Sequence, residues 1–344
     1  MKFSIRGHWR GQQLDLQGQF APGERVALLG ASGAGKTTLL RLLAGLDHMP
    51  EAQIDIAGKT LGRAWQSPCS LVHQQPVMFA HHRVEQTVHF GARFRPNSQA
   101  LPMREWAEAL DLTDLWQQSC AALSGGQQQR VALLRTLMSQ PAWLLLDESF
   151  AALDALSRVR ACDVVADYCR RTGAGLLLAS HHDSPQRILC DSAYSVDQLT
   201  GSYQPNLFDQ LNRVSSEGGM TTLSGTAEQL TKGFLAVLVD RQSLYLAVPE
   251  RWQPGNARIS LEASEISIAL GDQHQTSMVN RLKATVDSLV SIDGERVVVG
   301  LRLDQQRFSA TISLWSRQRL ELVVGQTVFA EFKAAAVQWH GQAH

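Results

Sequence analysis

A glycine-rich segment between an apolar run and a helical run constrains the fold of this chain most strongly. The segment Gly30-Ala31-Ser32-Gly33-Ala34-Gly35-Lys36-Thr37 fits the pattern G-x-x-x-x-G-K-[ST] at every fixed position. The residues before it, Arg25-Val26-Ala27-Leu28-Leu29, form a short, largely apolar run that predicts a buried strand. A helix is predicted from Lys36 to Ala44. Strand, glycine loop and helix in this order predict an α/β fold around a parallel sheet.

The glycine loop has the chemistry of a phosphate site. Glycines let backbone N–H groups converge on phosphate oxygens without interference from Cβ atoms, and the following helix directs its positive end at the same anion. Lys36 would add a positive charge at the β- and γ-phosphates, and the Thr37 hydroxyl can ligate Mg²⁺. We therefore predict nucleotide contacts from Gly30, Ala31, Ser32, Gly33, Ala34, Gly35, Lys36, Thr37 and Thr38. The loop alone leaves kinases and GTPases open.

Two further aliphatic runs, at 143–146 and 176–179, predict additional buried strands, and helical segments separate them. The first of these runs ends in Asp147-Glu148. An acidic residue at the carboxyl end of a buried strand lies beside the phosphate loop in such folds. Asp147 can then hold Mg²⁺, and Glu148 can act as the general base that polarises an attacking water. A solvated turn is the alternative interpretation of the two carboxylates.

A second glycine-rich helix start follows Leu123. Ser124 is a candidate N-cap, and Gly125 and Gly126 leave backbone N–H groups uncovered at the helix N-terminus. This makes a second phosphate-binding surface, with predicted contacts from Ser124, Gly125, Gly126 and Gln127. One nucleotide needs only one such surface, so the second is predicted to serve the nucleotide of another subunit. Taken alone, the segment also fits an ordinary capped helix after a glycine turn.

Together these motifs resemble the ABC ATPases, a family of P-loop NTPases. Leu123 to Gln127 match the family signature Leu-Ser-Gly-Gly-Gln letter for letter, and the resemblance covers residues 1 to about 200. It implies an α/β nucleotide-binding domain with a helical subdomain between Gln74 and Ser124. It also implies ATP and Mg²⁺ as cofactors and hydrolysis coupled to transmembrane transport. The implied partners are a second copy in a head-to-tail homodimer, integral membrane permease subunits and, indirectly, a substrate-binding protein.

The resemblance assigns roles to further residues. Gln74 lies at the position that ligates Mg²⁺ and reports on the permease. Asp154 ends a segment that resembles the D-loop, which lines the dimer interface in this family. His181 resembles the switch histidine that contacts the γ-phosphate, and the preceding Ser180 favours it over His182.

The chain departs from the family pattern at two positions. Ser149 stands where proline usually follows the catalytic glutamate, and His73 replaces the aromatic residue that usually precedes the glutamine at the position of Gln74. Neither position supplies a group that acts in the chemistry, so we expect activity to survive both changes. Trp9 and His8 are candidates for the residue that stacks on adenine.

Length and composition indicate the number of domains and the cellular location, and they exclude some functions. A length of 344 residues predicts two domains, and 32 basic against 32 acidic residues give no basic field for nucleic acid. The first residues lack the apolar region of a signal peptide, and no apolar stretch approaches the ~20 residues that span a bilayer. Five cysteines without metal-ligand spacing predict free thiols in a reducing cytosol. We expect a peripheral protein on the cytoplasmic face of the inner membrane.

The composition changes near Gly201. Residues 1–200 are predicted to form the nucleotide-binding domain, 201–231 a linker rich in Ser, Gly and Thr, and 232–344 a β-rich region. Strand-length runs separated by turn residues predict a small all-β barrel or sandwich, and the resemblance given below implies an OB-like barrel at about 275–338. These runs are 234–239, 243–248, 296–301 and 327–332.

The last region resembles the oligomer-binding barrel, the TOBE or Mop domain, of molybdate-import ATPases. Matching that family's Thr-Ser-x-x-Asn segment and its lysine near the last strand gives Thr276, Ser277, Asn280 and Lys333 as oxyanion ligands. A purely structural barrel is the alternative, and tungstate, sulfate, iron, polyamine or sugar cargoes remain open. A non-transport ABC ATPase would usually carry a coiled-coil insertion or two cassettes, and a kinase would leave the Gln74 and Ser124 segments unexplained.

Overall fold

The computed structural model describes residues 1–9, 12–49, 52–56, 59–60, 67–94, 100–197, 200–204, 219–229, 234–249, 252, 254–271 and 276–340. The chain divides into two compact units, Met1–Leu207 and Phe208–His344. None of the helices in these described ranges combines the length and apolarity needed to cross a membrane.

The first unit is built on one mixed sheet. Its strands are β1 (Lys2–Trp9), β2 (Gln12–Gln19), β3 (Arg25–Leu29), β4 (Gln53–Ile56), β5 (Lys59–Thr60), β6 (Cys69–Val72), β7 (Trp143–Asp147), β8 (Gly175–Ala179), β9 (Ser192–Asp197) and β10 (Thr200–Gln204). The order is β5-β4-β1-β2-β10-β9-β3-β8-β7-β6. Strands β9, β3, β8, β7 and β6 are parallel, which confirms the predicted α/β class. The antiparallel β1, β2, β4 and β5 extend this sheet beyond β10.

Helices connect the parallel strands. They are α1 (Lys36–Leu43), α2 (Val84–Ala92), α3 (Met103–Ala109), α4 (Gly125–Met138), α5 (Ala155–Thr172) and α6 (Asp183–Leu189). The central strands β7 and β8 are buried along their whole length, as expected for a sheet covered on both faces. The carboxyl ends of β3, β6, β7 and β8 lead into the loops at 30–35, 73–83, 148–154 and 180–182. Because parallel strands end at one edge of the sheet, the predicted site residues in these loops share that edge.

The second unit contains two five-stranded sheets. Its described strands are β11 (Met220–Gln229), β12 (Phe234–Val239), β13 (Gln242–Ala247), β14 (Gly255–Glu262), β15 (Ser267–Ala269), β16 (Asn280–Asp293), β17 (Arg296–Arg302), β18 (Arg307–Ser313), β19 (Thr327–Phe332) and β20 (Gln338–Trp339), and the α-helix α7 (Leu314–Arg319) follows β18. The sheet orders are β13-β12-β11-β14-β20 and β15-β19-β16-β17-β18. Apolar side chains from both sheets form one hydrophobic core, in agreement with the predicted all-β class.

Amide side chains join β13 of one sheet to β16 of the other. Asn280 at the start of β16 accepts a hydrogen bond from the Tyr245 N–H at 2.6 Å and donates one to the Tyr245 carbonyl at 2.9 Å. Gln242 on β13 does the same for the backbone of Lys283, at 2.7 and 2.9 Å. Each amide thus replaces one rung of a β ladder between β13 and β16.

The predicted linker at 201–231 is wrong for much of its length. Its first residues belong to β10, and Met220–Gln229 form β11, an inner strand of its sheet. The polar composition concealed a strand because threonine is β-branched and suits strands, and Thr221 and Thr222 are both buried. Gly225 is required there because a Cβ would collide with the Leu238 carbonyl on β12. Residues 205–218 lie outside the described residues.

Candidate nucleotide site

The glycine loop after β3 is held closed by its own lysine. The Lys36 ammonium donates to the carbonyl oxygens of Gly30 at 2.6 Å and Ala31 at 2.9 Å, and its side chain is largely buried. Gly30 has φ 142°, and a Cβ at this position would collide with the Val196 carbonyl of β9. Gly33 has φ 82° and open space around it, so its backbone can approach a ligand closely. The loop therefore has the form of an anion cradle at the start of α1.

Thr37 and Asp147 meet across the end of the parallel sheet. The Thr37 hydroxyl donates to Asp147 Oδ1 at 3.1 Å, which brings the first turn of α1 to the end of β7. Burial raises the pKa of the Asp147 carboxyl, and the Thr37 hydrogen bond and nearby cations oppose that shift. A hydroxyl and a buried carboxylate in contact are hard oxygen donors, which is the donor set that Mg²⁺ prefers. The arrangement thus fits the ion that ABC ATPases use.

Glu148 and His181 are paired at the ends of β7 and β8. Glu148 has φ 49°, and its N–H donates to the Ala179 carbonyl at 2.9 Å. Glu148 Oε2 accepts a hydrogen bond from the His181 backbone N–H at 3.1 Å. Oε1 is buried and has no hydrogen-bond partner among the described residues, while His181 Nε2 lies 3.5 Å from it. One carboxylate oxygen is therefore fixed and the other is left as an acceptor, as a general base requires.

The Gln74 segment begins at the same edge of the sheet. Strand β6 pairs in parallel with β7, with Val72 opposite Leu146, and Gln74 follows two residues later with an exposed side chain. Two side chains bind the backbone just before Gln74, and no sequence pattern indicated either contact. Ser149 donates to the Val72 carbonyl at 2.9 Å, and Gln129 Nε2 donates to the His73 carbonyl at 3.2 Å.

The predicted second phosphate surface is the N-terminus of α4. The Ser124 hydroxyl accepts from the Gln127 N–H at 3.4 Å, and the Gln127 side chain accepts from the Ser124 N–H at 2.8 Å. This reciprocal capping box confirms Ser124 as the N-cap and gives Gln127 a local role. Asp154 is the N-cap of α5, and its carboxylate accepts from the Ser157 N–H at 2.9 Å. Among the described contacts, none joins Ser124 or Asp154 to Lys36 or Asp147.

The first turn of α4, which follows Ser124, packs directly on the backbone of segment 151–154, the segment that resembles the D-loop. A Cβ at Gly126 would lie 2.9 Å from the Ala152 carbonyl oxygen, whereas one at Gly125 would meet nothing within 4 Å. The two glycines are neighbours in one helix, so their helix propensities are matched. Only Gly126 is required by a close contact.

We expect Gly126→Ala to lower the free energy of unfolding of the ligand-free chain by about 1–3 kcal/mol, because backbone must move to admit the methyl group. The matched Gly125→Ala variant should be neutral or stabilised by up to about 1 kcal/mol, since alanine favours helix. Thermal and urea unfolding of both full-length variants would measure the difference. Equal stabilities of the two variants would show that the backbone at Ala152 can move to admit the methyl group at little cost.

The four predicted oxyanion residues do not share one environment. Thr276 and Ser277 are exposed just before β16, and the Thr276 hydroxyl accepts from the Met278 N–H at 2.9 Å. Asn280 pairs with Phe332, so the exposed Lys333 lies at the same end of the sheet as Thr276 and Ser277. Asn280 itself is fully buried, with its amide bonded to Tyr245. The amide therefore bridges the two sheets, and a role of Asn280 as a ligand stays a prediction.

Comparison with known proteins places both units in recognised families. Residues 14–151 match the ABC transporter family model, and residues 276–338 match that of the TOBE domain. The chain is 30% identical to a molybdenum import ATP-binding protein, ModC, of Rhodopseudomonas palustris, over 97% of this chain and 95% of the relative. The corresponding ModC of Pasteurella multocida is 28% identical, over 91% and 92% of the two chains.

A solved structure of an ATP binding subunit of an ABC transporter has the same fold as the first part of the chain. It superimposes with a TM-score of 0.53 at 22% identity, covering 61% of this chain and 91% of that one. This likeness supports the fold alone, while the full-length identity to the Rhodopseudomonas protein supports a closer relationship. The chain belongs to the family of molybdenum import ATP-binding proteins, the ModC family of ABC ATPases.

Proposed function

We propose that this chain is the ATP-hydrolysing subunit of an ABC importer and that its cargo is molybdate. The observation that carries the hydrolytic part is the pairing of Glu148 with His181 beside the Thr37–Asp147 contact. It supplies a general base with one free carboxylate oxygen next to a phosphate cradle. The cargo is proposed from the relatives, which are molybdenum import proteins matched over nearly their whole length.

The proposed roles follow the geometry of the site. Backbone N–H groups of the glycine loop and the Lys36 ammonium would bind the β- and γ-phosphates. Thr37, Asp147 and Gln74 would hold Mg²⁺, which supplies positive charge to the phosphate oxygens. Glu148 Oε1 would take the proton of the attacking water, and His181, fixed through its backbone N–H, would contact the γ-phosphate.

The proposed active form is a head-to-tail homodimer. The N-terminus of α4, with Ser124, Gly125, Gly126 and Gln127, would bind the γ-phosphate held by the other copy. Asp154 would line the interface beside it, since the D-loop segment packs on Gly126. ATP would hold the two copies together and hydrolysis would release them. The bound permease subunits would convert this motion into transport at the cytoplasmic face of the membrane, with cargo delivered by a substrate-binding protein.

We also propose an oxyanion site in the second unit, formed by Thr276, Ser277 and Lys333. Hydroxyl groups and one ammonium at one end of the sheet suit a tetrahedral dianion. Truncation before this segment is a poor test, because β15 pairs with β19 and β14 with β20, so removal would expose the shared core. Point substitutions leave that core intact.

Isothermal titration of the full-length chain with molybdate, tungstate and sulfate tests both the cargo and this site. We expect saturable binding of molybdate or tungstate, and a loss of about tenfold or more in affinity for Lys333→Ala, since a charged hydrogen bond is removed. Lys283→Ala is the matched control, an exposed lysine in the same sheet. A loss of affinity in the control alone would move the site to the neighbourhood of Lys283. No binding to the unmodified chain would contradict the oxyanion site.

A further inference from the structure

The residue after the proposed catalytic base has a buried hydroxyl group that contacts another motif. Ser149 is 1% exposed, and its hydroxyl donates to the Val72 carbonyl at 2.9 Å. Val72 is the last residue of β6, two residues before Gln74. A proline, the usual residue at this position in the family, has no group that could donate this hydrogen bond. The contact is therefore a property of this chain's own sequence.

The backbone turn at Glu148 explains how the hydroxyl reaches β6. Strand β7 ends at Asp147, the Glu148 N–H still donates to the Ala179 carbonyl of β8, and the positive φ of Glu148 then turns the chain away from the strand direction. The Ser149 side chain then makes the bond on the opposite side, to β6. The segment that carries the base is thus attached to both neighbouring strands. The bond to β8 is made two residues before His181, and the bond to β6 is made two residues before Gln74.

A second side chain fixes the next carbonyl of the same segment. Gln129, 1% exposed on α4, donates from Nε2 to the His73 carbonyl at 3.2 Å. Arg135 on the same helix donates to the Val77 carbonyl at 2.8 Å. Helix α4 therefore restrains the Gln74 segment from one side, and the Ser149 hydroxyl ties the end of β6 to the segment of the base from the other.

We propose that Ser149 is a positioning residue for ATP hydrolysis, whose hydroxyl fixes the Gln74 segment relative to Glu148. The proposal rests on the proposed function. The hydroxyl is buried and already bonded to Val72, so it acts through these neighbours and not on the nucleotide. Loss of the bond leaves the end of β6 paired with β7 but without its side-chain attachment to the residue after the base, which lowers the fraction of molecules with Gln74 and Glu148 correctly oriented. The phosphate loop on β3 and α1 does not depend on it.

Steady-state kinetics of the full-length Ser149→Ala variant test this role. We expect kcat to fall about tenfold, the effect of losing one positioning hydrogen bond, with KM for ATP changed by less than about twofold. Ser192→Ala is the matched control, because Ser192 is a buried strand serine that donates to Glu24 Oε1 at 2.6 Å, away from the site. It should lose comparable stability and retain kcat. A Ser149→Ala variant that behaves like Ser192→Ala would overturn the proposal.

A double-mutant cycle separates positioning from general destabilisation. If Ser149 acts through the Gln74 segment, adding Ser149→Ala to Gln74→Ala should lower kcat by less than about twofold further. Independent, multiplicative effects would contradict the proposed route.

Hydrogen exchange gives a readout that does not require hydrolysis. Amides of β6, Cys69–Val72, should exchange faster in Ser149→Ala than in the unmodified chain or in Ser192→Ala, because the Ser149 bond holds the end of this strand. Unchanged exchange in this segment would overturn the proposal even in a chain that hydrolyses ATP. A chain that fails to hydrolyse ATP, yet shows the faster exchange, would instead contradict the proposed function and retain the structural tie.

Discussion

The Glu148→Gln variant should bind ATP with nearly unchanged affinity and hydrolyse it at least about a hundredfold more slowly, the usual contribution of a general base. The amide has the same shape as the carboxylate and can still accept the His181 backbone N–H that Oε2 accepts at 3.1 Å. It cannot take a proton from water at the position of Oε1. The variant should therefore remain folded and accumulate as an ATP-bound dimer.

Phosphate release in single-turnover conditions measures the hydrolytic step, and size-exclusion chromatography with ATP measures dimerisation. Glu24→Gln is a suitable control, because Glu24 is a partly buried, hydrogen-bonded carboxylate in the same unit but outside the site. It should keep its hydrolysis rate. Cells whose only copy carries Glu148→Gln should also fail to accumulate molybdenum. Hydrolysis within about threefold of the unmodified chain would remove Glu148 from the role of base.

Much of the catalytic unit could be predicted from sequence because its signals are local. The apolar run before Gly30 and the run that ends at Asp147 are both strands, and buried parallel strands read as continuous apolar segments. Parallel strands end at one edge of the sheet, so residues that follow β3, β7 and β8 had to converge there. The Thr37–Asp147 and Glu148–His181 contacts are the result.

The contacts that sequence reasoning missed join residues far apart in the chain. Ser149 reaches Val72 and Gln129 reaches His73, separations of 77 and 56 residues, and neither serine nor glutamine has a local pattern that specifies such a partner. We expected activity to survive serine at 149 because its side chain carries no chemistry. The hydrogen bond to Val72 is the reason why we propose that serine, in place of proline, positions the Gln74 segment.

The second unit was harder to predict because its polar residues are structural. The threonines of β11 looked like linker composition, yet Thr221 is buried and accepts the Ser309 N–H at 3.2 Å. Asn280 looked like a ligand because the motif matched, and the structure uses its amide to join two strands. Composition and motif spacing cannot distinguish a polar group that faces solvent from one that completes a sheet.

Lys36→Ala should abolish measurable ATP binding, with a loss in affinity of at least about a hundredfold. The ammonium is buried against the loop carbonyls of Gly30 and Ala31, so its charge acts in a region of low effective dielectric, where attraction to phosphate is strong. Its removal also deletes both hydrogen bonds that close the loop. Lys36→Arg keeps the charge, but its planar fork does not reproduce the point charge of an ammonium, so it should recover only part of the affinity.

Thermal unfolding with and without Mg·ATP distinguishes lost binding from a damaged fold. Ligand at about a hundred times its dissociation constant adds about 2.7 kcal/mol to the stability of the folded state. The unmodified chain and the control Lys2→Ala, an exposed lysine on β1, should both show this increase, and Lys36→Ala should show none. An equal melting temperature of the ligand-free proteins would confirm that the loop, not the sheet, is affected. If Lys36→Ala were stabilised by ATP as much as the control, the phosphate would be held by backbone N–H groups alone, and the lysine would serve only to shape the loop.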